Sequence, residues 1–216
     1  GRGIGIIETR ELYRVIDAAI LLKSSKFWTN EDHNSFKQWF ADYAKWLMES
    51  SLGKDEAKAR NNHGTHYDAQ LIAFLIFTNQ TELAKKQIET TKQRIKSQFA
   101  KDGSQPEELA RTLSWNYSFM NLYGFFTIAR LSEHLQVDLW SFETDGKGIK
   151  KAVEWLTPFV KNEKKWTFEQ IKSPEMNNTF KVFNISARKY KNNEYNNLAV
   201  KIAAENKQTD LDLITK

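Results

Sequence analysis

A chain of 216 residues is the size of one domain, and with 40% apolar and 27% charged residues it can bury a core and is not a disordered composition. It has no cysteine, which excludes disulfides, thiolate metal sites, iron–sulfur clusters and a cysteine nucleophile. The longest uninterrupted apolar run, Leu71 to Phe77, is far too short to span a bilayer, and a net charge of +5 (32 basic against 27 acidic residues) favours polyanionic partners in general.

Nine glycines and three prolines are about half the usual share, so the chain reads as mostly helical. From Glu11, residues Leu12, Val15, Ile16, Ala19 and Ile20 recur at helical spacing, closing near Ser24. Asp32 is a cap candidate for a second helix with Phe36, Trp39, Phe40, Tyr43 and Leu47 on one stripe, ending at Ser50–Gly53. A third runs from about Thr65 to Phe77, apolar enough to be buried on most sides. Leu83, Ala84, Ile88 and Ile95 carry a fourth from Thr81, broken by Asp102-Gly103. Pro106, Glu107 and Glu108 read as a helix start. Further helices are expected over Phe119 to Leu135, Gly148 to Val160, Phe180 to Tyr190 and Glu194 to Ala204, and no strand of convincing alternation appears.

Helices of this length joined by short links suggest an array or toroid of paired helices forming one all-α domain over residues 1–216. No block of like charge makes a nucleic-acid tail, and the aromatics sit inside helical patterns rather than in a basic stripe, so no nucleic-acid partner is expected. Gly1-Arg2-Gly3 carries no initiator methionine and no signal-type stretch, so Gly1 is read as not the native start: either a leader was removed or the chain is the later part of something longer.

Two stretches are unusual. In NNHGTHYDAQ (61–70) polar side chains crowd the entrance of an apolar helix, where amides and imidazoles can face a cavity, although Asn62 or Thr65 could equally be a helix cap. His63 and His66 are three apart and can share a face, but the HExxH pattern and a third ligand are missing, so no metal site is expected. In DGSQPEELARTLSWNYS (102–118), adjacent Glu107 and Glu108 point roughly 100° apart on a helix and cannot flank one glycosidic bond. Glu108 is instead placed to pair with Arg111. Arg111 and Tyr117 are six apart, separated by roughly 120° in a regular helix. A common site for both requires a helix break, with a new cap near Ser114. Trp115 alone among the seven tryptophans lies near candidate polar groups.

Together these stretches resemble the alginate lyase superfamily of polysaccharide lyases, as do GRGIGIIETREL (1–12) and LSEHLQVDLW (131–140). The likeness is strong through about Trp140 and fainter beyond. It implies an α/α toroid, here an incomplete barrel of antiparallel helix pairs. It also implies cofactor-free β-elimination on an acidic polysaccharide, alginate or a related polyuronate, in the periplasm or outside the cell. By resemblance Asn62 and Arg111 bind and neutralise the substrate carboxylate, His63 is a base or neutraliser, and Tyr117 is the base or acid at the scissile sugar. Asn61, His66, Tyr67, Gln105 and Trp115 are the associated substrate-binding candidates. Other branches of the family place the arginine and tyrosine seven apart, and its commoner first motif has an aromatic where this chain has His66. The rival reading is a non-catalytic helical domain that binds acidic glycans.

Overall fold

The computed structural model describes residues 3–206. A 3-10 turn at Gly3–Ile6 leads into α1 (Tyr13–Leu22), α2 (Asn30–Glu49), α3 (Ser51–Lys58), α4 (Asn62–Phe77) and α5 (Thr81–Gln98). A short α6 (Pro106–Leu109) precedes α7 (Ser114–Glu133). A hairpin of β1 (Glu143–Thr144) and β2 (Lys147–Gly148) then leads to α8 (Ile149–Val160), α9 (Met176–Lys189) and α10 (Asn193–Asn206). The architecture is all-α, an α/α toroid arrangement of successive helix pairs, with α4 packed on α5, α7 on α8 and α9 on α10. No described helix is long and apolar enough to cross a membrane.

Two helices organise the rest. Helix α4 is buried on nearly every side, as its apolar run requires, and packs against α2, α3, α5 and α7. Helix α7 touches α4, α6, α8 and α9. Their contact is close because residue 124 is glycine: a Cβ there would lie 3.0 Å from Thr65 Cγ2 and 3.2 Å from His66 Cε1. One apolar cluster unites α4, α5, α7, α8, α9 and α10, and a second joins Ile6, α1 and α2 to the other face of α4.

Several boundaries differ from the sequence reading. The cap of α2 is Thr29, whose hydroxyl accepts from the Asp32 amide while the Asp32 carboxylate accepts from the Thr29 amide; Asp32 is thus the other half of the capping box. Gly53 does not end the helical region but lies inside α3, where a Cβ would stand 2.0 Å from the Leu47 carbonyl oxygen. Helix α4 starts at Asn62 rather than Thr65, because Asn61 is its cap and accepts from the His63 amide. Helix α7 starts five residues before Phe119. The two-residue strands turn through Asp145-Gly146, both at positive φ, an Asp-Gly hairpin signal that the absence of alternation hid.

Candidate active site

The first turn of α4 and the break between α6 and α7 meet at one buried carboxylate. Glu108 is 1% exposed. Its Oε1 accepts the backbone N–H of Asn62, its Oε2 accepts Asn62 Nδ2–H at 2.8 Å, and Oε2 faces Arg111 Nη1 at 3.5 Å. Burial pushes the Glu108 pKa upward, with the Asn62 donors and Arg111 opposing. The three residues thus form one cluster drawn from segments 46 positions apart.

Arg111 leaves this cluster toward Tyr117. Its guanidinium carbon lies 3.5 Å from the centre of the Tyr117 ring, a stacked cation–π contact. The expected break makes this possible: α6 stops at Leu109, and the segment before Ser114 leaves regular helix. Ser114 is not the cap, however. That place is taken by Leu113 without a side-chain bond, while the Ser114 hydroxyl donates to the Glu169 carbonyl and accepts from Trp166 Nε1.

On the α4 side, His63 Nδ1 lies 2.8 Å from Glu56 Oε2. An ionised carboxylate can only accept, so this contact places the proton on Nδ1 and leaves Nε2 with a free lone pair in the neutral ring. The His63 side chain remains 20% exposed and that of Arg111 30% exposed, whereas Glu56 is largely enclosed.

A second buried pair holds the turn that carries these residues. Arg94 bonds both oxygens of Asp68 (2.8 and 3.0 Å) and donates to the carbonyls of Ala57 and Ala59. Thr91 and Gln87 complete the Asp68 shell. Gly64 is required here: a Cβ would sit 2.1 Å from Arg94 Nη1 and 2.2 Å from the Ala59 carbonyl oxygen.

The remaining sequence candidates lie inward. Asn62 is fully buried, and its Oδ1 has no hydrogen-bond partner within the protein. His66 is buried between α4 and α7, and desolvation, aided by Arg10 and His63, lowers its pKa to about 3. Tyr67 donates to the Leu47 carbonyl, and burial together with Asp68 raises its pKa to about 12. Gln105 donates to the Ser118 carbonyl and accepts from Asn121, and Trp115 is buried with its indole N–H on Thr179. Asn61 is half-buried as the α4 cap. Among the sequence candidates, Asn61, His63, Arg111 and Tyr117 are therefore the ones that stay partly exposed. Glu56 carried no sequence signal, since it lies on a different helix from His63. Glu108 showed only its pairing with Arg111, because its bond to Asn62 is long-range.

Two cavities are distinct from this face. One of about 240 Å³ lies behind Glu56, lined by Gly3, Thr9, Tyr43 and Trp46 among others. A larger one, about 870 Å³, opens at the opposite ends of α4 and α7 beside Phe77, Arg130 and His134 and contains none of the site residues. Gly1 and Arg2 of the GRGIG stretch lie outside the described residues.

Comparison with known proteins identifies the family. The family model for alginate lyase matches residues 1–166. A crystal structure of an alginate lyase from Bacteroides ovatus superposes with a TM-score of 0.87 at 28% identity, covering 94% of this chain and 55% of that one. The present chain thus spans about half the length of that enzyme. No curated protein matches the chain. The fold, the two motifs and the family match agree: the chain belongs to the alginate lyase family.

Proposed function

We propose that the chain cleaves a uronic-acid polymer, alginate first among them, by β-elimination. The observation that carries this reading is the family match over residues 1–166, in a chain that holds a Glu56-bonded His63 and an Arg111–Tyr117 cation–π contact.

The chemistry explains the residue types. Elimination removes the C5 proton beside a carboxylate and expels the oxygen at C4. That proton is very weakly acidic while the carboxylate is ionised, so a cation aimed at the carboxylate stabilises the charge that moves onto it. Arg111 stays cationic at any working pH and presents a planar fork suited to a carboxylate. Neutral His63, with its proton on Nδ1, offers Nε2 to receive the C5 proton. Tyr117, held by the Arg111 face, supplies a phenolic proton to the leaving oxygen or performs both transfers when proton and leaving group share a face. A polymer of this size lies outside the cytosol, which places the proposed reaction in the periplasm or beyond the cell.

The test is to mix the chain with polymannuronate, polyguluronate, glucuronan and pectate and follow ultraviolet absorbance. A rise on one polymer, from the conjugated double bond of an unsaturated uronate, supports the lyase and identifies its substrate. Saturated products with new reducing ends would overturn it in favour of a hydrolase. A flat trace with salt-sensitive polymer binding would favour the glycan-binding rival.

A further inference from the structure

We propose that Gln170 is a positioning residue for Tyr117: from 55 positions along the chain it caps α7, and so fixes the path that the backbone takes from Arg111 to Tyr117. The proposal rests on the lyase reading above, and it places control of that pair in residues beyond those the family model matches.

Arg111 and Tyr117 would not meet on one regular helix, so their contact depends on the residues between them. Those residues are not secured by α7 itself. Leu113 occupies the cap position without a side-chain hydrogen bond, and an apolar side chain has none to offer. Ser114 and Trp115 are both buried, where an unmet backbone amide is costly. Residues 169–171 supply what the cap does not. The Glu169 carbonyl accepts the Ser114 N–H at 3.1 Å, and Gln170 Oε1 accepts the Trp115 N–H at 3.0 Å. A side-chain oxygen on the second amide of a helix is what a serine or aspartate cap ordinarily provides. Here it comes from another part of the chain.

The same segment grips the break. Leu113 and Gln170 form an antiparallel bridge, and the Ile171 N–H donates to the Thr112 carbonyl at 2.9 Å. Gln170 Nε2 donates to Asn116 Oδ1 at 3.1 Å, which also accepts the Glu175 N–H. The Tyr117 N–H, in turn, donates to the Leu113 carbonyl at 3.0 Å. Tyr117 is therefore suspended from a residue whose place Gln170 sets, and Gln170 also holds the two residues just before Tyr117.

Two variants separate the cap from mere bulk. Gln170→Met keeps the volume and removes the acceptor, whereas Gln170→Glu keeps the acceptor with a charge suited to the positive end of a helix. The first measurement requires no turnover. By nuclear magnetic resonance, the ring current of Tyr117 shifts the Arg111 Nε–H upfield in wild type, and the Trp115 amide exchanges slowly. In Gln170→Met the Arg111 resonance returns toward its unshifted position and the Trp115 amide exchanges faster, while Gln170→Glu keeps both. The second measurement is kinetic, on the polymer identified by the panel assay and well below the unfolding transition of each variant. In Gln170→Met kcat falls about 10- to 100-fold with KM little changed, the pattern of a misdirected reacting group, and Gln170→Glu retains most of it.

An Arg111 resonance unchanged in Gln170→Met, even with faster exchange at Trp115, makes Gln170 a cap and nothing more; it overturns the proposal whether or not the protein is a lyase. A shifted resonance with kcat unchanged overturns it as well, as do equal losses in the two variants. If wild type turns over no polymer, the lyase reading fails by itself, and the two resonances decide whether Gln170 sets the Arg111–Tyr117 contact. Should Gln170→Met not fold, Gln170→Ala, which admits water to the Trp115 amide, is read in the same measurements.

Discussion

The guanidinium carbon of Arg111 lies over the ring of Tyr117, 3.5 Å from its centre. A stacked planar cation and a point charge are not equivalent at such a position. Arg111→Lys keeps the charge but loses the fork and the stacking face. On the polymer identified by the panel assay, kcat/KM is expected to fall about 10²-fold with the fold intact, measured by initial rates of ultraviolet absorbance. Tyr117→Phe, which retains the ring beneath Arg111 but not the hydroxyl, is expected to lose nearly all turnover while preserving the stack.

Glu56 orients His63 through the 2.8 Å contact at Nδ1. Glu56→Ala frees the ring to adopt either tautomer and either orientation, so activity is expected to fall about 10- to 100-fold. Glu56→Gln can still accept the Nδ1 proton and is expected to retain substantially more. Rates of the two variants measured side by side test whether the contact acts through orientation.

The Arg94–Asp68 pair is enclosed, and removing one partner leaves a buried charge without its counter-ion. Arg94→Ala is expected to destabilise the protein by about 3–5 kcal/mol in urea denaturation. Gly64→Ala forces a Cβ against the same guanidinium and a carbonyl, and is expected to cost about 1–3 kcal/mol through overpacking. Because the two sites touch, the double variant should not show the sum of the two losses.

His66 titrates at about 3 in the folded protein, chiefly because burial disfavours the charged ring, against 6.5 when unfolded. The unfolded chain therefore takes up a proton between these values while the folded one does not. Stability from this residue is fully present above pH 6.5 and declines as the pH falls toward 3. From pH 7 to pH 5 the loss is about 2 kcal/mol. Urea unfolding of wild type and His66→Phe across this range should give curves that diverge as acid is added, with the variant less sensitive.

The fold class was legible because helical periodicity is a local signal. The apolar run ending at Phe77 announced a buried helix, and the structure gives α4 that place. Its start was misread by three residues because Asn61, Asn62 and Thr65 are all chemically competent caps, and only the geometry of the preceding turn selects Asn61. The requirement for a break between Arg111 and Tyr117 followed from helix geometry alone, whereas the cap at Leu113 did not, since Ser114 bonds to a segment more than fifty residues away. Gln105 and Trp115 looked available as polar and aromatic groups in an unusual stretch. Their partners, Asn121 and Thr179, lie on other elements, so their burial could not be read from local pattern.

The bond between Asn62 and Glu108 spans 46 positions, so the two halves of the site are correctly spaced only when α4 and the α6–α7 break are docked. No excised peptide carrying either motif can reproduce that spacing. Turnover should consequently report cooperative native structure more sharply than helix content does, vanishing on heating with the near-ultraviolet signal of packed aromatics while far-ultraviolet ellipticity still lingers.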